Sequence, residues 1–318
     1  MHTILGAGGP IANALTKELT NRNEPVQLVS RRPVTQFAGA EWTRADLKDS
    51  KAVMAAVRNA SVIYMTAGLV YNKKVWKEEW PLIMQNLIAA AKDTGARLIF
   101  FDNVYMYGHV KGPMTEKSPY RPASVKGEVR ARIATQLMEA AAKGSIRASI
   151  ARAADFYGAE SMNSFLDLMV LQKFASKEKA LWLGDPERLH SFTYVPDAGK
   201  AMYLLGQDAS SDNQVWHLPT APALSGRTIL SLAARAAGAE GKFTRVSKLM
   251  LQTLGLFKPM IAESVELYYQ YRYDYDFNSS KFEHHFGLQP TAYEKGIFDT
   301  VRMFQEKKQG LSATALSR

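Results

Sequence analysis

Five residues into the chain, the run Leu5-Gly6-Ala7-Gly8-Gly9-Pro10-Ile11-Ala12 joins a short strand-like segment, Thr3-Ile4-Leu5, to a helical pattern through Leu15 and Leu19. A glycine-rich turn between a first strand and a first helix leaves few folds open. Glycine permits the tight turn and lets backbone N–H groups approach a bound group closely. The helix amino terminus that follows presents the positive end of its dipole. A pyrophosphate suits such a turn, which makes Gly6, Gly8, Gly9, Pro10 and Ile11 the first candidate binding residues.

The alternation continues. Apolar or β-branched runs at 26–29, 41–44, 61–65, 98–101 and 146–152 predict strands. Near-continuous apolar runs of this kind suit a parallel sheet covered on both faces. Between them lie helical patterns, clearest where Trp76, Trp80, Ile83, Leu87 and Ala91 form one apolar stripe, and again from about 124 to 142. Strand, helix and strand repeated in this order specify an α/β fold with a doubly wound parallel sheet. Beyond Tyr157-Gly158 the pattern is mixed, with strands expected at 180–183 and 215–217 and helices at 228–236 and 293–305. The expected organisation is a Rossmann-like dinucleotide-binding domain over 1–158, its sheet completed by later segments. A smaller mixed α/β substrate-binding region follows over 159–318.

Composition narrows the function. A chain of 318 residues that is 47% hydrophobic and 22% charged can bury a sizeable core, which excludes a disordered class. The absence of cysteine removes thiolate nucleophiles, disulfides and Cys-based zinc sites. The formal charge of +10 is spread in pairs such as Arg31-Arg32 and Lys73-Lys74 rather than gathered in a run, which argues against nucleic-acid and membrane partners. The first residues lack the basic leader and apolar core of a signal peptide, and no uncharged stretch approaches a bilayer span, so a cytoplasmic protein is expected. His2, His109, His190 and His217 are isolated and His284-His285 lack the spacing that sets two ligands on one helix face, so no metal site is expected. Of these, His109 is the one placed to line a pocket. The stretch through Tyr268, Tyr269, Tyr271, Tyr273 and Tyr275 is expected to pack or to form an interface, and a homodimer is compatible with the chain.

The second strand ends at Ser30-Arg31-Arg32, where a protein selecting NAD would place a carboxylate on the adenosine ribose hydroxyls. Ser30 is small and neutral, and Arg31 and Arg32 can pair with a ribose 2′-phosphate, so NADP(H) is expected over NAD(H).

With these residues in view, the sequence resembles the extended short-chain dehydrogenase/reductases, in their epimerase/dehydratase branch, over most of its length. Gly6, Gly9 and Ala12 fall on the family's GxxGxxG. Asp46-Leu47 is similar to the pair after its third strand whose acid contacts adenine, and Thr66-Ala67-Gly68 to its fourth-strand motif beside the cofactor. Three later signatures follow in order, from Val104 to Gly108, from Arg152 to Gly158 and from Phe192 to Asp197. The resemblance implies a Rossmann fold and a bound nicotinamide nucleotide.

The catalytic motif departs from the family. Where the family has Ser or Thr after the fifth strand, this chain has Asn103. Where it has Tyr-x-x-x-Lys on the next helix, this chain has Lys126 and Arg130. Residues four apart share a helix face, so the geometry survives the change of chemistry. In one reading Arg130 binds the nicotinamide ribose and its charge favours proton release from Lys126, whose amine serves as base or whose ammonium serves as acid, while Asn103 donates to the substrate oxygen. In the other, Lys126 and Arg130 only neutralise phosphates or face solvent, and the chain binds NADP without turnover. Tyr105, Tyr107 and Tyr120 are substitute proton donors, Tyr107 at a packing position and the other two on loops. The family's nucleotide-sugar enzymes usually carry Asn where this chain has Asp155, which disfavours a pyrophosphate there unless Arg147, Arg152 or Arg188 compensates. A small hydroxyl or carbonyl substrate is therefore expected. A nucleotide-sugar epimerase or dehydratase that retains its cofactor, and a non-catalytic NADP-binding regulator, are the alternatives.

Overall fold

In the computed structural model, residues 1–158 and 164–316 are described, with side chains to 309. The chain begins with β1 (His2–Leu5), α1 (Pro10–Thr20), β2 (Val26–Ser30), β3 (Ala40–Arg44), α2 (Ser50–Val57) and β4 (Val62–Met65). It continues through α3 (Lys73–Thr94), β5 (Arg97–Asp102), α4 (Val125–Ala142), β6 (Arg147–Arg152) and β7 (Asp155–Tyr157). Then come α5 (Gln172–Ala175), β8 (Ala180–Leu183), β9 (Leu189–His190), β10 (Phe192–Tyr194), α6 (Val195–Gln207) and β11 (Val215–His217). The last elements are β12 (Leu224–Ser225), α7 (Gly226–Ala237), β13 (Phe243–Val246), α8 (Lys248–Gly255), α9 (Pro259–Ser264), α10 (Ser280–Phe286) and α11 (Tyr293–Leu316).

Seven strands form a sheet in the order β3-β2-β1-β4-β5-β6-β11. Every pairing in it is parallel. The chain winds outward from β1 in one direction and then from β4 in the other, so the order reverses between β1 and β4, at the crevice where such sheets bind ligands. The apolar runs of the sequence have their cause here, because alternate residues serve opposite faces. Ile63 and Met65 pack under α2, α3 and α4 with Trp80, Ile83, Leu87, Ile133 and Leu137. Val62 and Tyr64 face α1, α6 and α10 with Leu15, Leu19, Met202, Leu205 and Phe282. Full burial of side chains this large contributes roughly 1.5–3 kcal/mol each.

The later half of the chain completes these layers. Strand β11 adds to the edge at β6, with Val215 opposite Ile150. Helix α6 lies against α1 so closely that a methyl group on Gly199 would come within 2.7 Å of the Ala14 backbone. A third apolar cluster lies outside the sheet, where Leu166, Val170, Phe174, Trp182, Ile229, Ala233 and Ile297 pack together. The expected boundary after residue 158 runs into 159–163, which are outside the described residues. Among the described residues no helix is long and apolar enough to cross a membrane.

Candidate functional site

The carboxyl ends of β1, β2, β3 and β4 carry the residues marked by the sequence for a dinucleotide. Gly6 and Gly8 have φ of +88° and +93°, a region that side-chain residues rarely enter. A methyl group on Gly6 would fall 2.4 Å from Ala67, so the loop and the end of β4 close against each other at the switch point. Gly9 precedes α1 and no side chain caps that helix, with Pro10 in its first turn, so the N–H groups that follow are left for an anion. The cradle fits a pyrophosphate. Ser30 Oγ donates to the Arg32 carbonyl at 2.5 Å and accepts from Trp42 Nε1 at 3.0 Å. Arg31 and Arg32 are exposed, and the side chain of neither makes an ion pair among the described residues. Asp46 accepts from Lys48 N at 3.0 Å, and the Leu47 carbonyl accepts from Asn86 Nδ2 at 2.9 Å. Thr66 Oγ1 donates to the Leu5 carbonyl at 3.2 Å, while the Cβ position of Gly68 opens on free space.

Lys126 and Arg130 share the inner face of α4, yet the structure engages them separately. The amino end of α4 is fixed by Ser124, whose Oγ accepts from Gly127 N at 3.0 Å. Lys126 has no exposed surface, and its Nζ spends three donors on Glu263 Oε2 at 2.7 Å, Glu266 Oε1 at 2.7 Å and the Glu263 carbonyl at 2.9 Å. The charges nearest its ammonium are thus carboxylates, not Arg130. Burial would raise the Glu263 carboxyl, but the hydrogen bonds from Lys126 and from Lys73 N hold it below the usual range. Arg130 instead lies 3.2 Å from Asp102 Oδ1 and over the ring of Trp80 at 4.1 Å. Its Nε and Nη1 are buried without a hydrogen-bond partner. Burial lowers the Arg130 pKa, and Asp102 opposes that change. Asn103 accepts from Tyr105 N at 3.0 Å through Oδ1 and stands half-buried at the end of β5.

Behind this face runs a buried polar chain. Burial pushes the Asp102 carboxyl up, while Arg130 and Arg152 pull it down. Arg152, without exposed surface, stands 3.4 Å from Asp102 through Nε, donates to Tyr107 OH at 2.6 Å, and reaches Tyr120 OH through Nη2. Tyr107 OH pairs with His217 Nε2 at 2.8 Å, and His217 Nδ1 donates to the Asn278 carbonyl at 2.8 Å, which assigns the neutral tautomer. Burial first, and the charge of Arg152 second, push the His217 pKa down to about 3. Tyr107 and Tyr120 are thereby committed to Arg152.

Tyrosines cluster around Asp155 and Tyr105. Asp155 Oδ2 accepts from Tyr271 OH at 2.8 Å and faces His190 Nε2 at 3.1 Å. The imidazole is stacked between Tyr271 and Tyr275 at 4.5 and 4.4 Å. Tyr71 OH donates to Tyr105 OH at 3.3 Å, and the hydroxyls of Tyr269 and Tyr275 are buried without partners. Burial and the nearby Asp155 charge raise the pKa of Tyr275 and Tyr271 far above the ordinary phenol value. His109 is exposed, stacks on Tyr273 at 4.0 Å, and with Tyr269, Gln270 and Tyr275 lines a small pocket, as expected of it. None of the three arginines on which the nucleotide-sugar alternative relies to compensate Asp155 pairs with it. Arg147, on the opposite end of the sheet, donates to the Gly95 carbonyl, Arg152 is spent on Asp102, and Arg188 faces Asp185 and Asp274. Sequence reasoning missed Asp102, Glu263, Glu266 and the Asp155–His190 contact. The one available signal was the spacing of Glu263 and Glu266, three residues apart and so on one helical face.

The profile of the NAD dependent epimerase/dehydratase family matches residues 2–218. Among solved structures, a UDP-glucose 4-epimerase of Thermus thermophilus in complex with NAD has a TM-score of 0.78 at 18% identity, covering 96% of this chain and 99% of that one. A dTDP-glucose 4,6-dehydratase of Bacillus anthracis in complex with NAD has a TM-score of 0.81 at 13% identity, covering 97% and 98%. A dTDP-glucose 4,6-dehydratase of Streptomyces venezuelae has a TM-score of 0.79 at 16% identity, covering 97% and 98%. At these identities the likeness is one of fold. A comparison with curated proteins returns no match.

Proposed function

Because the chain belongs to the NAD dependent epimerase/dehydratase family, we propose that it is an oxidoreductase that prefers NADP(H) and acts on a small hydroxyl or carbonyl compound. One observation carries the nucleotide preference: two exposed arginines without ion-pair partners follow the neutral Ser30 at the end of β2. Gly6, Gly8, Gly9, Pro10 and Ile11 would hold the pyrophosphate, Arg31 and Arg32 the 2′-phosphate, and Asp46 and Leu47 the adenine. Thr66, Ala67 and Gly68 would line the path to the nicotinamide. The Nε of Arg130, and its Nη1, which is ion-paired with Asp102 but makes no hydrogen bond, suit ribose hydroxyls as acceptors, since buried donors left without hydrogen bonds are costly. When bound, the nicotinamide supplies the hydride acceptor or donor. Asn103 donates from its side-chain amide to the substrate oxygen. Lys126 gives a proton from its ammonium, or accepts one on its amine, once Glu263 and Glu266 release it.

Titration should show NADPH bound at least about tenfold more tightly than NADH, a difference of about 1.4 kcal/mol. Arg31→Glu should erase it, and equal affinities in the unaltered protein would remove the assignment. Lys126→Ala should cut turnover by about a hundredfold or more while NADPH is still bound. Full activity in that variant would place proton transfer elsewhere.

Two observations favour other readings. All three donors of Lys126 are satisfied in the present arrangement, which favours a dinucleotide-binding protein without turnover. The neighbours that use UDP-glucose or dTDP-glucose favour a nucleotide sugar. Nucleotide retained through purification, with no net consumption of NADPH, would select the latter.

A further inference from the structure

Eleven large apolar side chains stand exposed among the described residues, and six of them fall within thirteen consecutive positions, 248–260. They are Leu249, Met250, Leu254, Leu256, Phe257 and Met260, with Leu256 and Phe257 each 81% exposed. Single exposed apolar residues are ordinary, whereas a contiguous group marks a surface that something covers. Of α8 only Leu251 is buried, so the rest of that helix and the turn into α9 face outward.

The charges within this stretch have one sign. From 247 to 262 the only charged residues are Lys248 and Lys258, both exposed. The next acids along the chain, Glu263 and Glu266, turn inward onto Lys126. Glu263 also accepts from Lys73 N at 2.9 Å, which sets the exposed Lys73 and Lys74 beside α9, next to Val70 at 71% exposure. The cations looked evenly scattered along the sequence; folding removes the local acids from this surface and leaves an apolar band edged with lysines. That combination suits a segment lying in the plane of a membrane interface. A second copy of the chain is disfavoured, because a two-fold contact would bring the same lysines together.

We propose that residues 248–260, with Lys73 and Lys74, form a docking surface for an anionic lipid bilayer, on which the protein rests peripherally. The apolar side chains enter the boundary between headgroups and acyl chains, and the lysines meet the lipid phosphates. Docking of this kind needs neither nucleotide nor turnover, so its test stands apart from the oxidoreductase reading.

The full chain, without nucleotide, is floated with vesicles of phosphatidylcholine alone and of phosphatidylcholine mixed with phosphatidylglycerol. It should float with the anionic vesicles and not with the neutral ones, and high salt should release it. Lys248→Gln with Lys258→Gln should lower partitioning about 25-fold, at about fivefold for each lysine. Leu256→Ser with Phe257→Ser should abolish flotation without moving the melting temperature, since neither side chain packs in the core. Leu249→Ser with Leu254→Ser provides a second, independent pair. Failure to float, equal flotation with both vesicles, or indifference to both serine pairs would overturn the proposal. So would a dimer seen by light scattering that the Leu256 and Phe257 changes dissolve while vesicles have no effect.

Discussion

Asp102 is the anion on which the buried cations of the sheet's carboxyl end depend. Arg130 stands 3.2 Å from one of its oxygens and Arg152 stands 3.4 Å from the other, and neither arginine has appreciable exposure. Such an arrangement says little about net stability while intact, but removal of one charge leaves the others buried without compensation. Asp102→Asn should therefore cost about 3–5 kcal/mol in urea unfolding. A loss under about 1 kcal/mol would mean that the tyrosines and Trp80 suffice to hold both guanidinium groups. Gly6 and Asp102 differ in how far the sequence exposes them. The conformation of Gly6 is dictated by its neighbours along the chain, a strand before and a helix after, so its role is legible from spacing. The role of Asp102 is set by Arg130 and Arg152, 28 and 50 residues away on different elements, and nothing local distinguishes it from any acid that ends a strand.

Whole elements were more legible than their contacts. The stripe of α3 gave away its buried face, for Trp76, Trp80, Ile83, Leu87 and Ala91 are all in the core. The strand expected at 98–101 is β5, extended to Arg97–Asp102, because register against β4 and β6 decides its ends rather than hydrophobicity. What periodicity could not supply was the segment from α8 through Tyr271 as a strap over α4. Six of its apolar residues, from Leu249 to Met260, face out, opposite to the pattern by which amphipathic helices are placed, while Leu251, Leu267 and Tyr271 are buried and ion pairs to Lys126 join it to α4. Glu263 and Glu266 each also accept a backbone N–H at the start of a helix, Lys73 of α3 and Val125 of α4, where negative charge is favourable. Glu263→Gln with Glu266→Gln should detach the strap ahead of global unfolding, since Lys126 would be left buried without an anion, at a cost of about 3–5 kcal/mol. Hydrogen exchange should then show lost protection confined to 248–271, and adding Lys126→Met should restore it. Unchanged protection in the double variant would mean that apolar contacts, not the lysine, fasten the strap.

Across the whole molecule, the polar chain through Arg152 ties together parts that the sequence separates widely. His217 lies on β11, which the later half of the chain contributes to the sheet edge. Its ring bonds Tyr107 after β5 and the Asn278 carbonyl before α10, and it stacks on Phe277 at 4.1 Å. The Glu116 carboxylate accepts the His217 backbone N–H at 3.0 Å, and Lys281 adds a second repulsive charge to that of Arg152. Protonation would break the bond from Tyr107 and place a cation beside Arg152. With the folded pKa near 3 and the unfolded value at 6.5, the unfolded chain binds the proton throughout the interval between them and the folded chain does not. The contribution to stability is therefore complete above pH 6.5 and declines as pH falls toward 3, at no more than about 1.4 kcal/mol per pH unit. His2, whose pKa is also lowered by burial, gives the same sign, so only a difference between variants isolates His217. His217→Gln keeps a donor and an acceptor at the site but cannot titrate. Urea unfolding between pH 7 and about 4.5 should lose about 2–3 kcal/mol more in the unaltered protein than in His217→Gln. Parallel pH profiles would mean that the histidine takes up its proton in the folded state, and that β11 is held to the sheet by its backbone pairing and by Trp216 rather than by this ring.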